Sequence, residues 1–185
     1  MIKKILFILI VKIENIVCSG ALNCRIDLRK LSEECQLFIY GQNKYTGGYL
    51  KFDSHSITIY STGKYIMPGM RSIPDMMQTF DRMLEILQEH VDVSKAEPPE
   101  IRNIVASSNY SASIDLFRFY VWLVSAGYDA VYEPESFPGL ILKLNDATFN
   151  IFKSGKFLIL GCVDEATIKS SESLLLKILD ESSSY

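Results

Sequence analysis

The sequence is poor in the residues that build metal and catalytic sites. Only two histidines occur, His55 and His90, and the four cysteines lie apart without C-x-x-C spacing. No zinc site can be assembled from a recognisable motif, so we interpret the cysteines as reduced structural thiols of an intracellular protein. The sequence also lacks a glycine-rich phosphate loop, a nucleophile elbow and an H-E-x-x-H motif. We therefore predict that the protein is not an enzyme and needs neither cofactor nor metal.

Long hydrophobic runs are missing as well. Two lysines precede an apolar run over 5–11, which resembles a signal peptide, but Lys12 and Glu14 end the run and no small-residue cleavage site follows. The run is too short to span a bilayer. Its Ile and Val content predicts a β-strand.

Composition and charge leave the class of globular proteins open. The 185 residues suffice for one medium domain or two small ones. The net charge of −3 argues mildly against a nucleic-acid-binding protein, since such proteins are usually basic. The net charge of the whole chain is a weak criterion, because binding depends on the sign of the charge on each face of the protein.

The chain contains an internal repeat. The segment 13–28 (IENIVCSG followed by RIDL) recurs at 101–116, where Asn103 lies 88 residues after Asn15. The segment 47–69 recurs at 139–161 with an offset of 92 residues. The second copy therefore gains four residues within or just after LFRFYVWLVSAGYDAV, which predicts a longer helix. We interpret the polar segment 92–100 as a linker, and the repeats are predicted to span 1–94 and 95–185.

Each copy has the same predicted order of elements. An Ile/Val strand leads into a helix capped by Asp27 or Asp115, four short strands follow, and an amphipathic helix closes the copy. The strands are predicted at 13–19, 37–43, 47–53, 56–61 and 64–69, and at 101–107, 128–134, 139–145, 148–153 and 156–161. The closing helices are predicted at 73–90 and 164–180, with their acidic residues, including Glu172, turned away from the sheet.

Strand alternation predicts a sheet with two different faces. One face has residues such as Ile16 and Ile104 and is covered by the helices. The opposite face presents Asn, Val, Ile, Leu, Tyr and Phe side chains fringed by lysines. An apolar sheet face without covering helices indicates a partner. Burial against a second layer or a dimer mate is one interpretation, and the repeated lysine fringe favours a polyanion.

These residues resemble those of the TATA-box-binding protein family, in the compact two-repeat form found in archaea. The second half has NIV at 103–105, YEPESFPGLI at 132–141 and IFKSGK at 151–156, and the first half follows through ENIV, KYTGGYLKF and IYSTGK. The match runs from Ile13 to Leu179. The resemblance implies an α+β fold, in which two tandem β-α-β4-α repeats form a curved ten-stranded antiparallel saddle with four helices on its convex face.

The resemblance also implies roles for individual residues. Contacts to base edges and the groove floor are implied for Asn15, Val17, Ile66, Asn103, Val105 and Leu158. Wedging between base steps is implied for Tyr45, Tyr60, Phe137 and Phe152. Phosphate contacts are implied for Lys51, Lys64, Arg71, Lys143 and Lys156. Contacts with transcription factor B are implied for Glu133 and Glu135.

The function that the resemblance implies is general transcription initiation. Such a protein binds and bends A·T-rich promoter DNA through the minor groove and recruits transcription factor B and RNA polymerase. It acts at the chromosome, in the nucleoid of an archaeal cytoplasm or in a eukaryotic nucleus. The apolar face would also permit a homodimer of the DNA-free protein.

Several departures from the family pattern, which include Tyr45 and Tyr60 in place of phenylalanines and the four-residue insertion, suggest a divergent paralogue or a virus- or lineage-specific form. Pro68 and Leu160 replace threonines, and Val163 replaces a basic residue. Pro68 within a strand predicts a bulge or an edge. The alternative function is a regulator that acts mainly by contact with transcription factor B, with weak or altered DNA binding.

Overall fold

The structure is a computed structural model that describes residues 11–41 and 46–183. The described part of the first repeat contains β1 (Lys12–Ala21), α1 (Leu28–Glu34), β2 (Phe38–Ile39), β3 (Gly47–Phe52), β4 (His55–Tyr60), β5 (Lys64–Met70) and α2 (Ile73–Leu87). The described part of the second repeat contains β6 (Glu100–Asn109), α3 (Leu116–Ser125), β7 (Asp129–Val131), β8 (Leu140–Leu144), β9 (Ala147–Ile151), β10 (Lys156–Cys162) and α4 (Glu165–Ser183).

The chain divides into two compact units. Asn15–Asn103 forms the first unit, and the described residues outside that range form the second unit. The strand order is β2-β3-β4-β5-β1 in the first repeat and β6-β10-β9-β8-β7 in the second, with antiparallel pairing. The predicted α+β class, with ten antiparallel strands and four helices in two β-α-β4-α repeats, is confirmed. The boundary between residues 94 and 95 stays a prediction, as does the strand at 5–11, most of which lies outside the described residues.

One face of each sheet is buried under helices. In the first unit, Tyr65 and Met67 of β5 are fully buried, and the Tyr65 ring stacks on Phe80 of α2 at a centroid distance of 5.9 Å. Burial raises the pKa of the Tyr65 hydroxyl, which donates a hydrogen bond to the Glu97 carbonyl. In the second unit, Phe149 and Phe157 occupy the equivalent buried layer. Burial of these apolar side chains stabilises each sheet on its helices.

The first helix of each repeat begins at the predicted aspartate. The Asp27 carboxylate accepts hydrogen bonds from the backbone N–H groups of Arg29 and Lys30, and Asp115 accepts one from Arg118. Both caps satisfy donors that have no partner within a helix. Helix α3 has 10 residues where α1 has 7, so most of the predicted insertion lengthens this helix.

Two predictions about the long helices were wrong in detail. Helix α2 ends at Leu87 instead of residue 90, because the N–H groups of His90 and Val91 both bond to the Leu87 carbonyl and close the chain into a turn. Glu172 does not face away from the sheet. It is buried and accepts a hydrogen bond from Ser108 Oγ, because its spacing from Ile168 and Leu175 puts it on the apolar stripe of α4.

Several strands begin or end away from their predicted limits. Strand β2 covers only Phe38–Ile39, and Tyr40 and Gly41 of the predicted strand 37–43 lie outside it. Strand β7 ends at Val131 because the chain turns at Glu133, whose carbonyl accepts the N–H groups of Ser136 and Phe137. The predicted linker 92–100 overlaps β6, which begins at Glu100.

Each sheet contains one β-bulge at the same place in the repeat. Cys18 pairs with Met67 and Ile16 with Met70, so β5 has one residue more than β1 in this stretch. The second repeat has the same extra residue in β10, between its pairs with Ala106 and Ile104. Gly69 and Gly161 both have φ 91° at these bulges. The bulge predicted at Pro68 is confirmed.

We predict that Gly69→Ala destabilises the protein through its backbone alone. A Cβ at Gly69 would meet no atom within 4 Å, so the cost is that of holding an L-residue at positive φ, about 1–2 kcal/mol. Gly41→Ala is the matched control, since Gly41 is also open but has no positive φ, and we expect a change within about 0.5 kcal/mol. Urea unfolding at 25 °C measures both. Equal effects of the two substitutions would contradict the bulge geometry.

Candidate nucleic-acid interface

The face of each sheet opposite to its helices, called the outer face here, combines apolar and amide side chains with a fringe of cations. In the first repeat it contains Asn15, Val17, Ser19, Tyr49, Tyr60 and Ile66, and in the second repeat it contains Asn103, Val105, Ser107, Ile141, Phe152 and Leu158. Most of these residues are half-buried, and Ile66 is 37% exposed. All base-contact and groove-floor positions implied by the sequence therefore lie on outer faces.

The bulge in β5 orients the amide of Asn15. Asn15 Oδ1 accepts a hydrogen bond from the backbone N–H of Gly69 at 2.9 Å. A backbone N–H can only donate, so the oxygen of the amide is identified by this contact and the Nδ2 group is directed elsewhere. The amide is thus fixed as a hydrogen-bond donor. Asn103 is the equivalent residue of the second repeat, 88 residues after Asn15, and Asn103 and Gly161 both have interaction partners.

Phe137 packs against Phe152 in the second unit. Their ring centroids are 5.9 Å apart with an interplanar angle of 63°, an edge-on arrangement. A Cβ at Gly139 would lie 2.8 Å from the Phe137 ring and 3.1 Å from the Phe152 ring, so glycine is needed for the rings to approach the strand. Both rings remain half-buried. The two predicted wedge residues of this unit are brought together at one end of the sheet.

The wedge pair of the first unit is only partly described. Tyr60 ends β4, is half-buried and pairs with Gly47, where a Cβ would lie 3.1 Å from the Tyr60 ring. Gly47 corresponds to Gly139 in the repeat. Tyr45 lies outside the described residues, so its role stays a prediction.

The predicted phosphate ligands are exposed in both units: Lys51, Lys64, Arg71, Lys143 and Lys156. Among the described residues, Lys143 alone of these five forms an ion pair, with Asp129 at 3.7 Å. Exposed pairs of this kind contribute little to stability, so the lysine can exchange partners.

Two charged side chains that bond to hydroxyls of the outer faces were missed in the sequence. Glu14 accepts a hydrogen bond from Ser107 Oγ at 2.7 Å in the second unit, and Arg102 Nε donates one to Ser19 Oγ at 2.8 Å in the first unit. The bond from Ser107 and then that from Lys12 hold the pKa of the Glu14 carboxyl below its usual range. Arg102 follows Glu14 by the repeat offset of 88 residues, and Ser107 follows Ser19 by the same offset. This offset is the sequence signal that could have identified the two charged residues.

The loop after β7 exposes the two predicted partner-binding residues. Glu133 and Glu135 are both exposed, and neither carboxylate has a hydrogen-bond or ion-pair partner within 11–41 and 46–183. Three residues that depart from the family pattern also lie near these sheets. Pro68 and Leu160 are at the two bulges, and Val163 is 49% exposed just beyond β10.

The described segments contain four free cysteines. Cys18, Cys35 and Cys162 are buried, and burial raises the pKa of Cys18 to about 11. No group of three His, Cys, Asp or Glu side chains in these segments is arranged to hold a metal ion. Across the part of the chain that the structure describes, no helix is long and apolar enough to cross a membrane.

The outer faces combine several kinds of binding group. They offer amide donors, apolar surface, aromatic rings and mobile cations. This combination suits a polyanion with stacked rings and exposed hydrogen-bond acceptors, which are the properties of nucleic acid.

Comparisons with known proteins agree with this interpretation. The family described as "Transcription factor TFIID (or TATA-binding protein, TBP)" matches residues 10–90 and 98–182. The TATA-box-binding protein of Pyrobaculum neutrophilum is 31% identical over 175 residues, which cover 92% of this chain and 87% of that protein. That of Pyrococcus abyssi is 30% identical, with 92% and 90% covered. The solved structure of Methanococcus jannaschii TBP has the same fold, with a TM-score of 0.81 over 92% of this chain and 98% of that chain at 24% identity.

We predict that Phe137 contributes little to folding. Phe137→Ala removes the ring contact with Phe152 from a half-buried site and should lower the free energy of unfolding by about 1 kcal/mol. Phe149→Ala is the matched control, because it removes a fully buried ring of the same unit and should cost about 3–5 kcal/mol. Thermal and urea unfolding measure both. If Phe137→Ala costs as much as the control, Phe137 is a core residue.

Proposed function

The chain belongs to the TATA-binding protein family, and we propose that it is a general transcription initiation factor that binds and bends A·T-rich promoter DNA through the minor groove. The observation that supports this best is the outer face, which repeats the same order of amide, apolar and cationic residues in both units. Promoter DNA and the transcription machinery are the partners that the family implies.

Base discrimination follows from the fixed amides and the apolar floor. In the minor groove, A·T pairs offer only N3 and O2 acceptors, whereas guanine adds an amino donor. Asn15, with its oxygen held by Gly69, presents its NH2 group to such acceptors. Val17, Ile66 and Leu158 provide no acceptor for a guanine amino group, which would be left without a partner at a cost of about 1–3 kcal/mol. Asn103 and Val105 are proposed to act in the same way in the second repeat.

Bending follows from aromatic insertion at the ends of the element. Phe137 and Phe152 at one end, and Tyr60 with Tyr45 at the other, are proposed to wedge between base steps. This family is a known example of such wedging, with kinks of about 80°. The edge-on contact with Phe152 positions the Phe137 ring for insertion without burying it in the core. The tyrosine hydroxyls need partners within the step, so the first unit should be the weaker wedge.

Affinity is proposed to come mainly from the phosphate contacts. Lys51, Lys64 and Arg71 in the first unit, and Lys143 and Lys156 in the second, are exposed and free to move towards the backbone of the duplex. Such contacts release counterions and provide affinity that falls with salt, but they provide little sequence information.

We further propose that the loop after β7 binds transcription factor B, which recruits RNA polymerase. Glu133 and Glu135 are exposed, close together and without partners among the described residues, so a basic surface can reach both. The equivalent loop of the first repeat, at 40–47, has no acidic pair. The protein would act at the chromosome, in an archaeal nucleoid or a eukaryotic nucleus.

The second candidate function is regulation by protein contact alone. The observation that favours it is the loss of two hydroxyls and one cation at Pro68, Leu160 and Val163. In that case the protein would bind transcription factor B through Glu133 and Glu135 and would bind DNA poorly, and its outer faces would be available for a homodimer. The aromatic wedge positions argue against this, since protein contact alone does not require them.

We predict that the protein shifts and bends a duplex with an A·T-rich element. Gel shift and end-to-end fluorescence transfer at low salt measure binding and bending, with and without transcription factor B, and a G·C-only duplex is the control. Phe137→Ala should bend the same duplex less and dissociate faster, because one base step is no longer wedged. If neither shift nor bend appears at low salt with transcription factor B present, the proposed DNA-binding function is wrong.

A separate prediction concerns the acidic pair. The double variant Glu133→Gln and Glu135→Gln should bind transcription factor B about tenfold more weakly, since it loses both charges that pair with a basic surface. Binding to DNA alone should not change. Glu33→Gln with Glu89→Gln is the control, because it removes two exposed carboxylates from the helical side of the protein. An equal loss in both variants would mean that net charge, not this loop, determines the interaction.

A further inference from the structure

Equivalent positions of the two repeats have opposite charges. Arg102 follows Glu14 by 88 residues, and Ser107 follows Ser19 by the same interval. In the first unit the hydroxyl of Ser19 accepts from the Arg102 guanidinium, and in the second unit the hydroxyl of Ser107 donates to the Glu14 carboxylate. The same serine is therefore bound to a cation in one unit and to an anion in the other.

Both charged groups are bonded to hydroxyls of the outer faces, whereas Glu14 and Arg102 themselves have the strand parity of the buried Ile16 and Ile104. Ser107 is two residues beyond Val105 in β6 and pairs with Leu158, so its hydroxyl has the same orientation as the groove-floor residues. Ser19 is two residues beyond Val17 in β1 and pairs with Ile66. The hydrogen bonds to these hydroxyls fix the charged groups beside the apolar floor of each unit.

Neither charge is neutralised by burial or protonation. The Arg102 side chain is 57% exposed and pairs with Glu100 at 2.7 Å, an exposed contact that DNA can replace. Glu14 remains ionised near neutral pH, because the Ser107 hydroxyl and Lys12 stabilise the carboxylate and lower its pKa. A carboxylate accepts up to about four hydrogen bonds, so Glu14 retains acceptor capacity for a further donor.

We propose that Arg102 and Glu14 make DNA binding directional, so that the first unit takes the purely A·T half of the promoter element and the second unit takes a half that contains a G·C pair. This inference rests on the proposed function. The guanidinium donates to the N3 and O2 acceptors of A·T pairs and is attracted by their electronegative minor groove. The carboxylate repels that groove but accepts from the guanine amino group, which is the minor-groove donor that distinguishes G·C from A·T.

The experiment measures the orientation of the bound protein. The duplex has an A·T-rich element with one G·C pair in one half, and it is labelled with a donor dye at either end. The acceptor dye is attached to Ser173→Cys on α4 of the second unit, in a Cys24→Ser background, since the other three cysteines are buried. Transfer to the two duplex ends reports which half the second unit occupies.

For the parent protein we expect the second unit over the G·C-containing half in about tenfold excess. The variant with Glu14→Gln and Arg102→Gln has the same residue at both equivalent positions and keeps a partner for each serine, so the excess should fall at least about fivefold. Glu14→Arg with Arg102→Glu should reverse the preference. Glu33→Gln with Arg118→Gln, which changes the same charges on α1 and α3, should leave it unchanged.

The outcomes separate this inference from the function on which it depends. Tight binding without an orientation preference, or a preference that survives in the double glutamine variant, overturns the directional role of Glu14 and Arg102 only. Failure of the parent protein to bind any A·T-rich duplex overturns the proposed function, and the inference with it. Thermal unfolding of each variant identifies loss of folding. If the charge-reversed variant does not fold, the orientation measured with the double glutamine variant tests the proposed directional role.

Discussion

Burial of one face of each sheet determines the chemistry of the opposite face, because successive residues of a strand point to opposite sides. In β5, Tyr65 and Met67 are fully buried, so Lys64 and Ile66 point outward. A slip of one residue would bury the lysine and expose the tyrosine, losing the stacked contact with Phe80. The packing of the helices therefore fixes which side chains a ligand meets, although no helix residue needs to touch that ligand.

The bulges are the places where this alternation is interrupted, and they coincide with the residues proposed to read bases. The extra residue turns the backbone of Gly69 so that its N–H bonds to Asn15. The orientation of the amide is thus set by the main chain and does not depend on a second side chain that could be lost by substitution. The residue before the glycine is less constrained, and the protein has Pro68 there in one repeat and Leu160 in the other.

The repeat, the strand alternation and the aspartate caps could be predicted because each depends on local patterns: Asp27 and Asp115 precede apolar helix residues, and the glycine-containing turns separate the strands. The exact ends of the strands could not, because they depend on how the chain turns, as where Glu133 accepts two N–H groups after β7. The contacts of Glu14 and Arg102 were also missed. Long side chains can reach hydroxyls well away from their own Cα, and strand periodicity does not predict where their charged end groups lie.

A duplicated scaffold gives two outer faces of nearly the same geometry, so differences in what they bind must come from individual side chains. Two of the positions that differ are Tyr60 against Phe152 in the wedge, and Glu14 against Arg102 at the equivalent serines. The first changes how readily a ring enters a base step, and the second changes the sign of the charged group that is bonded to the serine. Because these residues occupy equivalent positions of the repeat, each difference acts on the free energy of one orientation relative to the other. A protein of this form can therefore distinguish the two directions of a promoter without any change of fold.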